Sequence, residues 1–241
     1  ISDNRFGVRS DKIPSVYISH QIQVLSGATS RLTTKYHQKI IAKFTECWVP
    51  DYASNGLAGE LSKQGKNNLN LKYIGPLSRF MNQPQKKVWD IVAVLSGPEP
   101  QRGILEEKIR KELIGFSGKS LLIQGKVENK QTVRVEGNLT TVNFMLQQEL
   151  EEAMQQAEVI LSRSGYSTVM DLDALQAKAF FIPTPGQFEQ EYLANHLKEK
   201  GFADYSDQES FHLGKFDNSI HYKGFSHKKT SKNELNRSLF D

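Results

Sequence analysis

Val159-Ile-Leu-Ser-Arg-Ser-Gly-Tyr-Ser-Thr-Val-Met-Asp-Leu172 settles the architecture, because two periods meet within it. Val159 to Leu161 is a short apolar run suited to a buried strand, and a helical register begins at Ser164 and runs to Leu175. Small hydroxyl residues around Gly165 join the two. The same order of strand, turn and helix recurs on either side. Upstream, Val88 to Leu95 is nearly all apolar, as a strand covered on both faces must be. The loop Ser96 to Arg102 follows, then a helix over Ile104 to Leu113 with Leu105, Ile109 and Leu113 on one stripe. Ser120 to Ile123 reads as a second strand closed by Gln124-Gly125-Lys126, and Thr132 to Val135 as a third. Leu146 to Ala157 reads as an acid-rich helix. Downstream, Ala179 to Ile182 is again a strand, and Gln187 to Lys200 is a helix that Gly201 ends. This alternation predicts an α/β fold, a doubly wound parallel sheet covered by helices on both faces.

Residues 1–79 are more mixed. Ser15 to Ser19 is β-prone, Thr33 to Phe44 has helical spacing at Tyr36, Ile40, Ile41 and Phe44, Trp48-Val49-Pro50 stops that helix, and Lys72 to Gly75 is a short strand. Residues 80–86 read as a linker, 87–204 as the main domain and 205–241 as a basic tail. At roughly 150 residues per domain, 241 residues hold about 1.6 domains, which suggests one large domain or one and a half. The chain opens at Ile1 rather than a methionine and reads as a processed chain or a fragment.

Composition removes several classes. One cysteine, Cys47, excludes an internal disulfide framework and a cysteine-based zinc cluster, and fits a reducing, cytoplasmic compartment. The six histidines lack metal-ligand spacing, so no metal site is expected. Thirty-one Lys and Arg against 27 Asp and Glu is too balanced for a dedicated nucleic-acid binder. Apolar runs such as Ile91 to Leu95 are too short to span a bilayer. The tail carries Lys215, Lys223, Lys228, Lys229, Lys232 and Arg237 against Asp217, Glu234 and Asp241, and reads either as a solvated end or as a peripheral contact with acidic membrane lipid.

In a parallel sheet ligands gather at the carboxyl ends of the strands, which directs attention to three loops. In the first, Gly97 allows close backbone approach and Arg102 is suited to a phosphate; a plain turn with a solvated arginine is the alternative. In the second, Ser164, Gly165 and Thr168 suit a phosphate-cradling turn, against ordinary helix capping by Ser164 or Ser167. Asp171, one turn further, is placed to accept from a ribose diol, or simply complements the helix dipole. The third, Pro183 to Glu191, presents Gln187, Glu189, Gln190 and Glu191 as polar groups able to read sugar hydroxyls, or is a rigid helix start. His20, at a strand end, is a candidate base or a structural histidine.

Taken in order, Leu95-Ser-Gly-Pro-Glu-Pro-Gln-Arg102, Ile123-Gln-Gly-Lys126, Ser162-Arg-Ser-Gly-Tyr-Ser-Thr-Val-Met-Asp-Leu172 and Ile182-Pro-Thr-Pro-Gly-Gln-Phe-Glu-Gln-Glu-Tyr-Leu193 resemble the glycosyltransferase family 28 C-terminal domain, in a bacterial branch, over most of 87–201. The resemblance implies the GT-B fold, two Rossmann-like domains of which 87–204 is the donor-binding one and 1–79 the end of the acceptor-side one. It implies a UDP-sugar donor, N-acetylglucosamine or a related hexose, and an envelope saccharide or lipid-linked acceptor. It carries donor-binding roles to Gly97, Arg102, Gln124, Gly125, Ser164, Gly165 and Thr168. Leu146 falls near the uracil-contacting segment, Asp171 where the family has a glutamate on the ribose, and Gln190 on the first of a sugar-reading Gln-Gln pair. Glu191 replaces the second glutamine, which leaves the donor sugar open. Ser19-His20-Gln21 resembles an acceptor-side His-Glu-Gln motif without its glutamate. The implied reaction is metal-independent sugar transfer with no cofactor. The alternatives are a nucleotide-sugar epimerase or hydrolase on the same fold, or a donor-binding half completed by a partner chain.

Overall fold

The computed structural model describes residues 1–65, 68–83, 85–216 and 222–225. The chain forms two compact units: Ile1–Leu77, with Lys228–Asp241 outside the described residues, and Ser78–His227.

The first unit is a small parallel sheet. Its strands β1 (Ser2–Asp3), β2 (Val16–Ile18), β3 (Glu46–Val49) and β4 (Leu71–Tyr73) lie in the order β1-β2-β3-β4. Helix α1 (Ser30–Ile41) links β2 to β3. Tyr17, Ile22, Ile41, Phe44, Cys47 and Val49 pack together as its core, and Val16, Trp48 and Ile74 form a second, smaller cluster. Two expectations change here. Trp48 and Val49 do not merely stop a helix; they belong to β3, because α1 has already ended at Ile41. Tyr36 does not face the core but is 67% exposed, the buried stripe of α1 being His37, Gln38 and Ile41. Beyond β3, the buried Asp51 carboxylate accepts from the backbone N–H groups of Tyr52, Leu57 and Ala58 and from the Ser62 hydroxyl (2.8, 2.7, 3.1 and 2.6 Å). One aspartate thus holds the crossover from β3 to β4 in shape.

The second unit has seven strands: β5 (Trp89–Val94), β6 (Ser120–Ile123), β7 (Val133–Glu136), β8 (Leu139–Val142), β9 (Ala157–Ser162), β10 (Ala179–Phe181) and β11 (Asp204–Tyr205). Their order is β11-β10-β9-β5-β6-β8-β7, all parallel except β7, which returns antiparallel on β8. The helices are α2 (Gln101–Ile114), α3 (Gln147–Gln155), α4 (Tyr166–Leu175) and α5 (Phe188–Glu199). The expected stripe of α2 holds: Leu105, Ile109 and Leu113 are buried against Ile91, Ala93, Leu95, Leu161, Phe180 and Ile182. Each such side chain contributes roughly 2 kcal/mol by leaving water.

Besides β3, three strands escaped the sequence pattern. β8 is half of a hairpin whose turn is Gly137-Asn138, with Gly137 at φ +59°; β1 and β11 are two-residue edges without a legible period. The reading of 205–241 as a solvated tail is also corrected for its described part. Phe211 is buried in the core with Leu213 and Phe216 packed beside it, and Phe225 stacks on Phe202 at 5.5 Å. Lys215 bonds the Ser206 and Ser210 hydroxyls (3.0 and 2.8 Å), so it is not a free tail cation. Lys228, Lys229, Lys232 and Arg237 lie outside the described residues.

Candidate functional site

The strand order fixes where a ligand crevice opens. From β5 the chain moves to β6 and β8 on one side, then crosses to β9 and continues to β10 and β11 on the other. The loops leaving β5 and β9 therefore diverge, and the gap between them is the topological switch point at which open α/β sheets bind ligands. Register places the ends level: Val94 lies opposite both Ile123 and Ser162, and Phe181 opposite Ser162. The loops after β5, β6, β9 and β10 therefore share one edge, and these loops with the first turns of α2, α4 and α5 carry every donor-side candidate except Leu146 and Asp171.

Gly97 lies in the β5–α2 loop at φ +99°, and a Cβ built there would meet nothing within 4 Å. Gly125 has a different reason to be glycine. At φ +66° it lies so close to the Leu95 carbonyl that any Cβ would overlap that oxygen. Gly125 thereby lets the loop after β6 rest against the end of β5. Arg102 locks the same corner. Its guanidinium donates to the Gln124 carbonyl (2.8 Å) and to Glu106 (3.1 Å), and pairs with Glu99. The Gln124 side-chain amide also donates to Glu106. The charge expected to meet a phosphate is balanced by two carboxylates.

The β9–α4 turn is built differently. Ser164 is buried, and its hydroxyl donates to the Gln190 carbonyl at 2.7 Å, tying this turn to α5. Gly165 is the residue before α4 at φ −67°, ψ 143°, with open space where a Cβ would be. Thr168 lies half-buried in the first turn, where helix N–H groups lack intrahelical acceptors. Asp171 is half-buried and accepts from the Ser78 hydroxyl at 2.6 Å. Burial pushes its carboxyl up from the ordinary value, opposed by the Ser78 bond and by Arg79.

Arg163, between Ser162 and Ser164, is the residue that sequence reasoning passed over. It is 2% exposed, and its guanidinium donates to the carbonyls of Ile182 (3.0 Å), Pro183 (3.0 Å) and Gln101 (3.1 Å) and to the Gln208 side chain (2.6 Å). One side chain thus joins the β9–α4 turn to the start of α2, the loop after β10 and residue 208. All four acceptors are neutral. Burial lowers its pKa to about 10, so it stays charged at neutral pH with no balancing carboxylate among the described residues. The available signal was an arginine directly after a buried strand, where a solvated role is hard to place.

Gln190 accepts from the Thr184 N–H (2.9 Å) and donates to Gln187 (2.6 Å), while Glu191 accepts from the Gly186 N–H (2.9 Å). Both hold the Pro183–Gln187 loop from behind. A cavity of about 250 Å³ opens beside it, lined by Pro183, Pro185, Glu191 and residues 207–210. Leu146 is exposed at the start of α3, where Glu149 accepts from its N–H at 3.0 Å. His20 follows β2 in the first unit and is half-buried. Among the described residues no group of three or more His, Cys, Asp or Glu is placed to hold a metal ion, and no helix is long and apolar enough to cross a membrane.

The chain is 25% identical over 212 residues to the UDP-N-acetylglucosamine–N-acetylmuramyl-(pentapeptide) pyrophosphoryl-undecaprenol N-acetylglucosamine transferase of Buchnera aphidicola (subsp. Schizaphis graminum), covering 84% of this chain and 55% of the relative. It therefore spans about half the length of that protein. The crystal structure of MurG from Acinetobacter baumannii superposes with a TM-score of 0.55 at 14% identity, over 88% of this chain and 59% of that one. The kitacinnamycin glycosyltransferase gives 0.57 at 13% identity, over 95% and 65%. Both share the Rossmann-like GT-B fold. The model of the glycosyltransferase family 28 C-terminal domain matches residues 100–238, more than half of the chain. This chain belongs to the glycosyltransferase family 28 C-terminal domain family.

Proposed function

We propose that the switch-point edge of the second unit binds the diphosphate of a nucleotide sugar, and that the chain serves a glycosyltransferase. The observation that carries this reading is the pairing of Gly165 with Arg163. Open space over a glycine at the N-terminus of α4 lies close in sequence to a buried guanidinium that no carboxylate among the described residues balances. An oxyanion there gains N–H donors, a helix dipole and a positive field in a low-dielectric setting. Asp171, on the same helix, accepts from a ribose diol by exchanging its Ser78 bond.

The donor is a UDP-sugar, with N-acetylglucosamine or a related hexose as the sugar; the relative named above transfers that sugar to a lipid-linked saccharide, which makes an envelope saccharide or lipid-linked acceptor the matching reading here. In transfer, an acceptor hydroxyl oxygen bonds to the anomeric carbon as the bond to the diphosphate oxygen breaks. The departing UDP gains charge, which the α4 N-terminus and Arg163 stabilise without reorganising. His20 is the proposed acceptor of the hydroxyl proton. No cofactor is needed for these steps. Arg102 organises the β5–α2 loop rather than meeting the phosphate alone.

A thermal-shift panel of UDP, GDP, CDP, ADP, dTDP and UDP-N-acetylglucosamine tests the reading, because a ligand of the native state raises its stability by mass action. Selective stabilisation by the uridine nucleotides is expected. Asp171→Ala should weaken UDP by about tenfold, the worth of hydrogen bonds to a charged group, without lowering the melting temperature of the free protein. Equal UDP affinity in that variant removes Asp171 from the site.

A further inference from the structure

Strand β7 is an outer edge of the second unit's sheet, with β8 on one side and, among the described residues, no strand on the other. The ladder shows which of its backbone groups are spent. The Asn138 and Val142 carbonyls accept from the N–H groups of Ser120 and Gln124 (2.9 Å each), so the even-numbered residues of β8 turn toward β6. Its odd-numbered residues turn toward β7, and just beyond β8 the Asn143 N–H donates to the Thr132 carbonyl at 3.2 Å. By register, Leu139 lies opposite Glu136 and Thr141 opposite Arg134. Thr132, Arg134 and Glu136 therefore direct their backbone groups at β8, and the alternation of an antiparallel ladder turns those of Val133 and Val135 outward. Among the described residues no backbone hydrogen bond ties Val133 or Val135 to another segment. The whole strand is exposed, Val133 by 58% and Val135 by 68%. It carries neither proline nor lysine, residues that commonly blunt a free edge, and its two charges, Arg134 and Glu136, are opposite in sign.

We propose that β7 pairs antiparallel with β7 of a second copy of this chain, about a two-fold axis at Val135. Pairing at a sheet edge needs an outward row of donors and acceptors, which Val133 and Val135 supply. The charges select the occupant and the register. With the axis at Val135, Arg134 of each copy faces Glu136 of the other, and the two Val135 side chains meet at the axis. An axis at Arg134 would set two arginines face to face, and an axis at Val133 would give Arg134 only the neutral Thr132. Among axes on β7, only Val135 pairs its two charges with each other, and such self-complementarity is what an isologous interface requires. The Glu136 carboxylate already pairs with Arg110 of its own copy, which leaves its other oxygen for the facing arginine. β6 and β8 separate β7 from the switch point between β5 and β9, so this pairing stands apart from the nucleotide reading.

The test is sedimentation equilibrium of the full chain, without nucleotide, up to about 0.5 mM, since a strand edge this short makes a small interface and a weak dimer. A reversible monomer–dimer equilibrium is expected, with no larger species, because the two-fold pairing consumes the edge. Val135→Lys puts two ammonium groups at the axis and should weaken association by about tenfold or more. Arg134→Glu and Glu136→Arg should each weaken self-association by about tenfold, because like charges then face each other twice. An equimolar mixture of those two variants should associate within about threefold of the parent, since opposite charges again face across the ladder. All three positions are exposed, and Glu136→Arg gives up only a solvent-facing pair with Arg110, so melting temperatures should match the parent. A parent that stays monomeric at the highest concentration, a dimer that ignores Val135→Lys, or a mixture no tighter than its separate components overturns the inference.

Discussion

Arg163 shows how much one side chain settles in this protein. Replacing it with lysine keeps a charge but loses the fork that reaches Ile182, Pro183, Gln101 and Gln208 together. Arg163→Lys should lower stability by about 3 kcal/mol, as expected when a buried hydrogen-bonded cation loses its partners, read as a drop in the urea midpoint. His37 offers a test in the first unit. It is buried beside the Tyr17 hydroxyl (3.3 Å) and Phe6, and burial holds its pKa below the ordinary value. The unfolded chain takes up that proton near pH 6.5 while the folded one resists, so the unfolded state binds more protons as pH falls below about 6.5. Stability from this residue is present above that pH and is lost below it. His37→Phe should flatten the acid side of the stability–pH curve; an unchanged slope would show that His37 is not its source. Neither residue is legible as such in the sequence. Arg163 reads as part of a hydroxyl-rich turn, and His37 carries no motif. Burial of a polar group depends on contacts far away in sequence, which no local pattern encodes.

At the scale of elements, the sequence pattern was a good guide wherever an element had to hide an apolar face. The stripe Leu105, Ile109 and Leu113 on α2 and the strands around Ile91, Leu122, Leu161 and Phe180 fall where periodicity put them, because burial enforces the period. The pattern failed at edges. β1 and β11 are only two residues long, so neither has room for a legible apolar period. The tail failed for the opposite reason: Phe211 and Phe216 pack on the core from a segment whose lysines dominate its composition. The loops at the carboxyl edge were legible as glycine-bearing turns, but the division of labour among them was not. Gly125 illustrates this, since its close approach to the Leu95 carbonyl already requires a glycine. Gly125→Ala combines a left-handed backbone with that overlap and should cost about 2 kcal/mol or more, seen as a lower melting temperature. A variant as stable as the parent would mean that the loop after β6 moves freely from the end of β5.

For the molecule as a whole, family membership and fold rest on the matched domain, while the activity rests on the crevice. A transferase, a hydrolase and an epimerase on this fold would all bind the donor nucleotide, and they differ in the fate of the bound sugar. Release of UDP from UDP-N-acetylglucosamine without an acceptor would favour the hydrolytic readings; UDP release that needs an added saccharide or lipid-linked acceptor is the outcome expected here. The central claim, a diphosphate site over Gly165, is tested most directly by calorimetric titration of UDP into the parent chain and into Gly165→Leu. A Cβ at this position meets open space, so the variant should fold with an unchanged melting temperature, but its side chain would fill the space the diphosphate needs. The account expects saturable UDP binding by the parent, and at least tenfold weaker binding by the variant, the loss of about 1.4 kcal/mol. Equal binding by the two proteins, or no binding by the parent, would contradict it.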